Sequence, residues 1–403
     1  MTDNAGTAPR AGFFGFLLRQ RRRLPGRLLK LGVPPRILGW RAINHIDLGA
    51  CVAKTGELTD LKELAPKRTF LAALPKNIAD RDTLDPDPGW WGYAMRNVPA
   101  RTSAATCLAT MRDASVLAFP DGPKGEFTPA ILDQRDRSVS LPQVRFRAGH
   151  GEMLRRGPPV SRMKEGVWFL ERVYDNHSHW LTAHLPKLLL LRDHGLLDRT
   201  IMPAARTATM EASLGMLGID PAKMPQYEVG TVLKVARLTV PVTDRFDPRL
   251  LKPVRAAFAA DGPAAPTARV FISRARAAGR KITNEDTLWP ALKERGFERV
   301  FMEDLDFVAQ LRLMQRTAVM VAPHGAGLTN MMFCPEGADI VELADPGYPN
   351  PNFYALSAAM GHRFWLLPAQ ASGQGHALHK NLTVDIAALM DVLSRIEKLR
   401  GAA

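Results

Sequence analysis

The chain has 403 residues, of which 46% are hydrophobic and 23% charged, and a formal net charge of +14. This length predicts two domains rather than one core, and the hydrophobic content excludes a chain that is disordered throughout. No run of about 18 apolar residues is present, which excludes a membrane-spanning helix. The three cysteines are an odd number and form no Cys-x-x-Cys pair, which argues against a disulfide framework and predicts a reducing, cytoplasmic compartment.

About half of the net charge of +14 comes from a basic N-terminal arm, residues 1–49, in which only Asp3 and Asp47 oppose the basic residues. Its basic residues are Arg10, Arg19, Arg21, Arg22, Arg23, Arg27, Lys30, Arg36 and Arg41. One interpretation is a solvated tail; the other is peripheral contact of residues 10–41 with an anionic membrane, since the apolar run Phe13–Leu18 precedes the arginines. The arm lacks alternating aromatic and basic residues, so no nucleic acid partner is expected.

The middle of the chain becomes regular only after Gly166. Residues 50–165 are broken by proline and glycine, and no elements are predicted there. The next elements predicted from hydrophobic spacing are a strand at Val167–Tyr174, a helix at His179–Leu197, a strand at Thr200–Pro203, a helix at Thr207–Leu217 and a strand at Val232–Val240.

The C-terminal half alternates strands and helices more strictly. Predicted strands are Ala268–Ser273, Val300–Met302, Ala318–Ala322, Asp339–Leu343 and, last, Arg363–Leu367; predicted helices are Asn284–Arg295, Phe307–Thr317, a short one ending at Cys334, Asn352–Met360 and Val384–Arg400. This alternation is typical of βαβ units and a parallel sheet. We therefore predict an α/β fold with a basic arm at 1–49, an N-terminal α/β domain at 50–245, a C-terminal Rossmann-like domain at 246–375 and a C-terminal helix at 376–403.

A glycine-rich turn follows the predicted strand Ala318–Ala322. The sequence is His324-Gly325-Ala326-Gly327-Leu328-Thr329-Asn330. Glycines let the backbone approach a ligand, and the helix that follows presents N–H groups and a positive dipole end, which suits a diphosphate. The alternative is that the glycines only permit a tight turn.

Arginines follow the first strand of the same half, in Ser273-Arg274 and in Arg280-Lys281-Ile282-Thr283-Asn284-Glu285. The planar guanidinium binds phosphate with two hydrogen bonds. Asn284 and Glu285 could instead be helix-capping residues.

Carboxylates have two candidate roles. Glu342 ends a predicted strand, where it could accept hydrogen bonds from ribose hydroxyls or simply be a surface charge. Asp304-Leu305-Asp306 and Asp85-Pro86-Asp87 could bind a divalent metal, but Asp306 is better interpreted as a helix cap and the second triplet as a turn. We expect no catalytic metal.

Three histidines, His177, His179 and His184, lie within eight residues at the start of a predicted helix. Their spacing differs from the zinc-binding His-Glu-x-x-His pattern. A histidine with a pKa near neutrality could accept a proton from an acceptor hydroxyl; alternatively, these are surface residues at a helix start.

Taken in order, these motifs resemble glycosyltransferase family 61. The matching residues are Arg274, Arg280–Glu285, Gly296-Phe297, Gln310, His324–Asn330 and Glu342, with Asn176, His179-Trp180 and Leu185-Pro186 upstream. Residues 1–160 show no match. The resemblance implies a GT-B fold, with two Rossmann-type domains facing a cleft and a C-terminal helix that crosses back. Residues 50–245 would then be the acceptor-side domain and residues 246–375 the nucleotide-sugar-binding domain. It also implies an inverting, metal-independent transfer from a nucleotide-diphosphate sugar, with no other cofactor, to a glycan or lipid-linked glycan of a surface polysaccharide.

The resemblance assigns roles residue by residue. Donor binding is expected at Arg274, Arg280, Asn284, Glu285, Gln310, His324, Gly325, Ala326, Gly327, Asn330 and Glu342. Family members often carry an acidic residue four positions after the His of His-Trp, where this chain has Ala183. The base would then be His179 or His184, or the protein would be slow or inactive. A nucleotide-sugar epimerase of the same fold, or a binding protein without activity, are the alternatives.

Overall fold

The computed structural model describes residues 24–48, 58–89, 91–259 and 266–402. Within these ranges the fold is α/β and divides into two compact units, each assembled from separate stretches of chain. Unit 1 combines the described part of Met1–Lys62 with Leu108–Val173 and Tyr227–Val242. Unit 2 combines Glu63–Cys107 and Tyr174–Gln226 with the described part of residues 243–403. This division is not linear in sequence, unlike the predicted boundaries.

Unit 1 is built around a seven-stranded mixed sheet. Its strands are β1 (His45–Asp47), β2 (Leu58–Ala65), β5 (Thr106–Asp121), β6 (Glu126–Leu132), β7 (Ser138–Ser140), β8 (Val160–Val167) and β11 (Val232–Val242). They are ordered β1-β7-β6-β5-β11-β8, with β2 also paired to β5. Two helices accompany them, α1 (residues 24–30) and α2 (Ala148–Arg155). A core cluster that includes Leu117, Leu132 and Phe146 stabilises this sheet.

Unit 2 contains a six-stranded sheet and most of the helices. Its strands are β12 (Ala268–Ile272), β13 (Phe297–Val300), β14 (Thr317–Pro323), β15 (Asp339–Ala344), β16 (Arg363–Ser372) and β17 (Asn381–Val384). Its helices are α3 (His177–His179), a π-helical turn (Trp180–His184), α4 (Leu185–Asp193), α5 (Ala208–Met216), α6 (Pro248–Ala257), α7 (Glu285–Glu294), α8 (Phe307–Gln315), α9 (Asn352–Met360) and α10 (Ile386–Gly401). Short strands pair as β3 (Arg68–Leu71) with β4 (Ala100–Ser103), and as β9 (Met202–Pro203) with β10 (Gln226–Tyr227).

The six-stranded sheet has the order β13-β12-β14-β15-β16-β17. All neighbours are parallel except β16 and β17. Strand order therefore reverses between β12 and β14, and ligands of open α/β sheets bind outside the carboxyl ends of the strands at such a switch point. Every residue of β14 is buried, as expected of a central parallel strand covered on both faces.

The C-terminal helix α10 packs within unit 2. Asp385 caps it by accepting the N–H of Ala388 at 3.0 Å. Its apolar face, with Leu389, Leu393 and Ile396, belongs to the core cluster of the six-stranded sheet. The predicted crossing of this helix to the other domain stays a prediction.

Most predicted elements are confirmed, with ends shifted by a few residues. The prediction of a buried strand at Val167–Tyr174 is wrong. The observed strand β8 ends at Val167, and most of its residues are exposed and polar. The last predicted strand, Arg363–Leu367, is observed as the longer strand β16, and a further strand, β17, follows it. Helix α6 was not predicted, since its two prolines resemble a linker; Pro248 is its first residue, where no N–H is needed.

Three predictions concern the ends of the chain and its cysteines. Part of the predicted basic arm, residues 1–23, lies outside the described residues, and so does Cys51. Cys107 is disulfide-bonded, contrary to the expectation of a chain without disulfides, and Cys334 is a free, buried thiol. In the described ranges, no helix has both the length and the apolar character needed to cross a bilayer.

Candidate functional site

The predicted donor residues come from loops at the switch point of the six-stranded sheet. Ser273 and Arg274 directly follow β12, and His324 and Gly325 directly follow β14. These two strands are hydrogen-bonded neighbours. Because the carboxyl ends of parallel strands meet at one edge, both loops open at the same place.

Arg274 lies directly against the glycine turn. A Cβ atom added to Gly325 would lie 2.7 Å from Nη1 of Arg274 and 3.3 Å from its Cζ. The φ angle of Gly325 is 164°, extended backbone that any residue can adopt. Gly325 is therefore needed for close approach of the guanidinium, not for its backbone conformation. The carbonyl oxygen of Gly279 accepts from Nε and Nη2 of Arg274 at 3.2 and 3.1 Å and so fixes the side chain.

Arg280 is the second cation of this edge. Burial lowers its pKa to about 10, and the charge of Arg274 acts in the same direction, while Tyr348 and Glu342 oppose the shift. Burial also lowers the pKa of Arg274. Both guanidinium groups remain protonated at neutral pH. Nε of Arg280 is buried and has no hydrogen-bond partner among the described residues. Two neighbouring, partly desolvated cations form a site that an anion would stabilise.

The backbone of Arg280 is unusual as well. Its φ is 59°, in the left-handed region that non-glycine residues rarely occupy. Its N–H donates to the carbonyl of Lys380 at 3.1 Å, which holds it in this conformation. Such outliers persist where the surrounding structure imposes them, and they cluster at functional sites.

His324 is held by a carboxylate on the adjacent strand. Its Nδ1–H donates to Oε1 of Glu342 at 2.5 Å, and its Nε2 then accepts from Nδ2 of Asn350 at 3.3 Å. Glu342 is 1% exposed, and the register pairs it with Ala322 of β14. The hydrogen bond therefore fixes the ring and its tautomer.

The remainder of the glycine turn forms a 3-10 helix, Ala326–Phe333, with Ala326 as its first residue. The leading N–H groups of such a helix have no acceptor within it. A Cβ atom on Gly327 would lie 3.2 Å from Cγ2 of Ile272, so this glycine allows the helix to pack on β12. Asn330 closes the turn by donating to the carbonyl of Gly327 at 3.3 Å.

Asn330 also connects the turn to the histidine segment. Its Oδ1 lies 3.1 Å from Nε2 of His177. Burial lowers the pKa of His177, so this imidazole is neutral at pH 7 and donates to the amide. His177 was not among the predicted site residues. A local signal was present, since His177 lies beside His179 at a helix start capped by Asn176, but the pairing with Asn330 spans 153 positions.

Three predicted donor residues have mainly internal partners. Asn284 pairs with the backbone of Val384, donating at 2.8 Å and accepting at 3.0 Å. Glu285 is 5% exposed and accepts from the hydroxyl of Ser273 at 2.6 Å. Gln310 donates to two backbone carbonyls at 3.0 Å each. These residues position the loops after β12 and before α8, and direct donor contact by them stays a prediction.

The two histidines predicted as base candidates occupy different surroundings. His184 is fully buried, its ring is stacked on Trp180 at 5.9 Å, and its Nδ1 donates to the carbonyl of His179 at 3.0 Å. His179 is only partly buried. Ala183, the position at which the family resemblance predicted an acid, is 4% exposed. His179 is thus the more accessible of the two.

Other polar groups that could bind a cofactor are scarce. In the portions of the chain that the structure describes, no group of three or more His, Cys, Asp or Glu side chains is arranged to hold a metal ion. Tyr348 and Asn350, which the sequence motifs did not predict, line this edge because they follow β15, one strand beyond the glycine turn. Tyr348 packs edge-on against His324, with ring centroids 5.6 Å apart.

Comparison with known proteins finds a family model that covers this site. The model described as glycosyltransferase 61 matches residues 177–341. We call residues 177–341, which this model matches, the family 61 segment. This segment contains His177, both arginines and the whole glycine turn, whereas Glu342 lies one position beyond it. The resemblance predicted from the motifs is confirmed for this segment.

Curated relatives match a shorter part of the chain. The EGF domain-specific O-linked N-acetylglucosamine transferase of Drosophila melanogaster is 37% identical over 83 residues, which is 20% of this chain and 16% of the relative. The mouse (Mus musculus) protein of the same name is 38% identical over 88 residues, 21% and 17% respectively. The bovine (Bos taurus) one is 36% identical over 92 residues, 22% and 18%. This chain therefore spans less than a fifth of the length of these relatives. These similarities support the prediction of a glycosyltransferase.

Proposed function

We propose that this protein is an inverting, metal-independent glycosyltransferase of GT-B architecture. It would transfer a sugar from a nucleotide-diphosphate donor, in the first instance a UDP-sugar, to a glycan acceptor of a surface polysaccharide. Both the family 61 segment and its relatives, named as transferases, support sugar transfer.

The observation that carries this proposal is the contact of Arg274 with Gly325 beside Arg280. It places two cations and the start of a helix at one switch point. Hydrogen-bond donors that are already in place when negative charge develops in the transition state make the largest single contribution to catalysis in many enzymes. A diphosphate leaving group needs such donors, most of all where no metal takes the charge.

The reaction we propose is a single displacement. The acceptor hydroxyl oxygen forms a bond to the anomeric carbon while the bond from that carbon to the diphosphate oxygen breaks. The nucleoside diphosphate leaves with the electron pair, towards Arg274 and Arg280. The hydroxyl proton passes to a base, for which we propose His179 because His184 is fully buried. A positioned base contributes about 10²–10⁴-fold, so a His179→Ala variant should retain weak activity.

The donor sugar is best tested first as N-acetylglucosamine, since that sugar is in the printed name of the relatives. Their names also specify EGF domains as acceptors, but the matched stretch is under a fifth of their length. A glycan acceptor is therefore our proposal from the family resemblance alone.

The test is a panel of UDP-, GDP- and CMP-sugars measured by thermal shift, followed by release of nucleotide with added glycan acceptors. Binding raises the melting temperature by mass action, and Arg274→Ala and Arg280→Ala should remove the shift. Arg276→Ala is the matched control, because Arg276 lies on the same loop but is exposed and paired with Asp304. Binding without turnover would favour a non-catalytic protein, and release of an isomerised donor would favour an epimerase. No shift with any donor would refute the proposal.

Peripheral membrane contact is a second part of the proposal, supported by the described part of the basic arm. Leu31 and Ile37 are 80% and 73% exposed beside Arg27, Lys30 and Arg36, a combination typical of interfacial segments. Cytoplasmic location stays a prediction, and the disulfide at Cys107 weakens the cysteine argument for it.

A further inference from the structure

A pocket of about 430 Å³ opens in unit 2 beside Glu342. One wall is the end of β15 and the loop after it, with Asp345, Tyr348, Pro349 and Asn350. The other wall, called the second wall, comes from residues 78, 82–86, 95 and 96. They lie outside the family 61 segment, in the stretch predicted to belong to the acceptor-side domain. The volume falls within the range of small-molecule sites.

The second wall is fixed in place against the sheet. Asn77 pairs with the edge of β16, donating to the carbonyl of Leu366 at 2.7 Å and accepting its N–H at 3.0 Å. Arg96 donates to the carbonyls of Asp82 at 2.6 Å and Leu84 at 3.3 Å. The pocket wall is therefore preformed, which lowers the entropic cost of binding.

Two carboxylate oxygens at the pocket are unsatisfied. Oε2 of Glu342 and Oδ2 of Asp345 are buried and have no hydrogen-bond partner among the described residues. Their second oxygens are occupied, by His324 at 2.5 Å and by the N–H of Gly347 at 2.7 Å. A buried acceptor without a donor costs free energy, so a ligand with hydroxyl or N–H donors would stabilise both.

Charge distinguishes the two parts of this edge. The pocket lining carries four carboxylates, those of Glu342, Asp345, Asp82 and Asp85, and one guanidinium, that of Arg96, which lies 3.7 Å from Asp82. This excess of negative charge disfavours phosphate, and much of the remaining lining is apolar, with Ile78, Leu84, Met95, Pro349, Leu366 and Pro368. Arg280, by contrast, lies within reach of the charges of both Glu342 and Arg274. A ligand with an anionic end and an uncharged, flat end with hydroxyl donors matches this arrangement.

We infer that the pocket binds the ribonucleoside half of the donor, between the loop after β15 and the second wall. The base lies between Leu84 and Met95 on one side and Pro349 on the other, and the 2′- and 3′-hydroxyls donate to Oε2 of Glu342 and Oδ2 of Asp345. This inference rests on the proposed function, because it presumes a diphosphate at the arginines. It adds that a stretch outside the family 61 segment selects the nucleoside.

The test is calorimetric titration of the full chain with UDP, GDP, CDP and ADP, with the 2′,3′-dideoxy form of the tightest of them, and with inorganic pyrophosphate. Losing two hydrogen bonds to carboxylates should weaken the dideoxy form by tenfold or more relative to its parent. Thr83→Trp fills the pocket from an exposed position, and we expect at least tenfold weaker nucleotide binding with pyrophosphate affinity unchanged. Pro88→Trp is the control, exposed on the same stretch but outside the pocket lining.

The outcomes separate the two proposals. If Arg274→Ala weakens the nucleotide but Thr83→Trp and the dideoxy form bind normally, the nucleoside pocket is refuted and the donor site stands. If neither nucleotide nor pyrophosphate binds the wild-type chain, the proposed function itself fails. If circular dichroism shows that Thr83→Trp folds poorly, the affinities of the parent and dideoxy nucleotides for the wild-type chain still test the nucleoside pocket.

Discussion

The contact between Arg274 and Gly325 leads to a sharp prediction for the substitution Gly325→Ala. The new Cβ atom would lie 2.7 Å from Nη1 of Arg274, so the guanidinium must retreat by roughly 0.5–1 Å to reach ordinary contact distance. Because φ is 164° and the obstacle is the end of a flexible side chain, the free energy of unfolding should change by less than about 0.5 kcal/mol.

Nucleotide affinity should respond much more strongly than stability. A hydrogen bond to a charged group contributes about 1.5–3 kcal/mol, so displacing Arg274 should weaken UDP binding by about 10–150-fold. If the loss acts through Arg274, the double variant Gly325→Ala, Arg274→Ala should bind no more weakly than Arg274→Ala alone. Calorimetry on the four proteins of this double-mutant cycle measures the coupling.

Gly215→Ala provides the matched control. Gly215 lies in α5, and a Cβ atom added there would have no neighbour within 4 Å, so this position should tolerate alanine with unchanged affinity. Additive losses in the cycle, or a Gly325→Ala protein that binds UDP as wild type does, would refute the role that we assign to this contact.

Three further predictions concern other features. Arg280→Gly relieves a left-handed φ of 59° and a like-charge contact, so the free energy of unfolding should rise by about 0.5–1 kcal/mol while UDP binding weakens by tenfold or more. An equal or lower free energy of unfolding in chemical denaturation would contradict the strain argument. Burial lowers the pKa of His150 to about 4, and its Nε2–H donates to the carbonyl of Thr128 at 2.9 Å, so the folded state favours the neutral ring. The free energy of unfolding should therefore fall by about 2–3 kcal/mol between pH 6.5 and 4, and denaturant titrations of His150→Gln should show a smaller fall. Leu31→Ser should reduce co-sedimentation with anionic vesicles, and equal sedimentation with purely zwitterionic vesicles would contradict an electrostatic contact.

The parallel sheet of unit 2 could be predicted because its signals are local. Strands β12, β14 and β15 are short, largely buried runs, and helix ends carry local signals such as Asp306 before α8 and Gly361 after α9. Strands β2 to β7 could not be predicted in this way, since proline and glycine interrupt the hydrophobic pattern and part of the pairing joins distant stretches. Pairing of β5 with β6 is close, but pairing of β5 with β11 joins residues more than a hundred positions apart.

The candidate site could be predicted in part for the same reason. Arg274, His324 and Gly325 directly follow strands, and the carboxyl ends of parallel strands converge whatever the surrounding sequence. The hydrogen bond of His177 to Asn330 and the second wall of the pocket depend on packing between distant stretches. The spacing of residues within one stretch of sequence does not predict such contacts.

The discontinuous make-up of unit 2 has a consequence for biosynthesis. Its first stretch, Glu63–Cys107, leaves the ribosome long before α10, whose Leu393 and Ile396 complete the core of the six-stranded sheet. Early segments must therefore wait, with their apolar surface exposed, until nearly the whole polypeptide has been synthesised. Domains with such long-range closure fold late and are exposed to aggregation in the meantime, so yield in a heterologous host should depend on chaperones and on translation at low temperature.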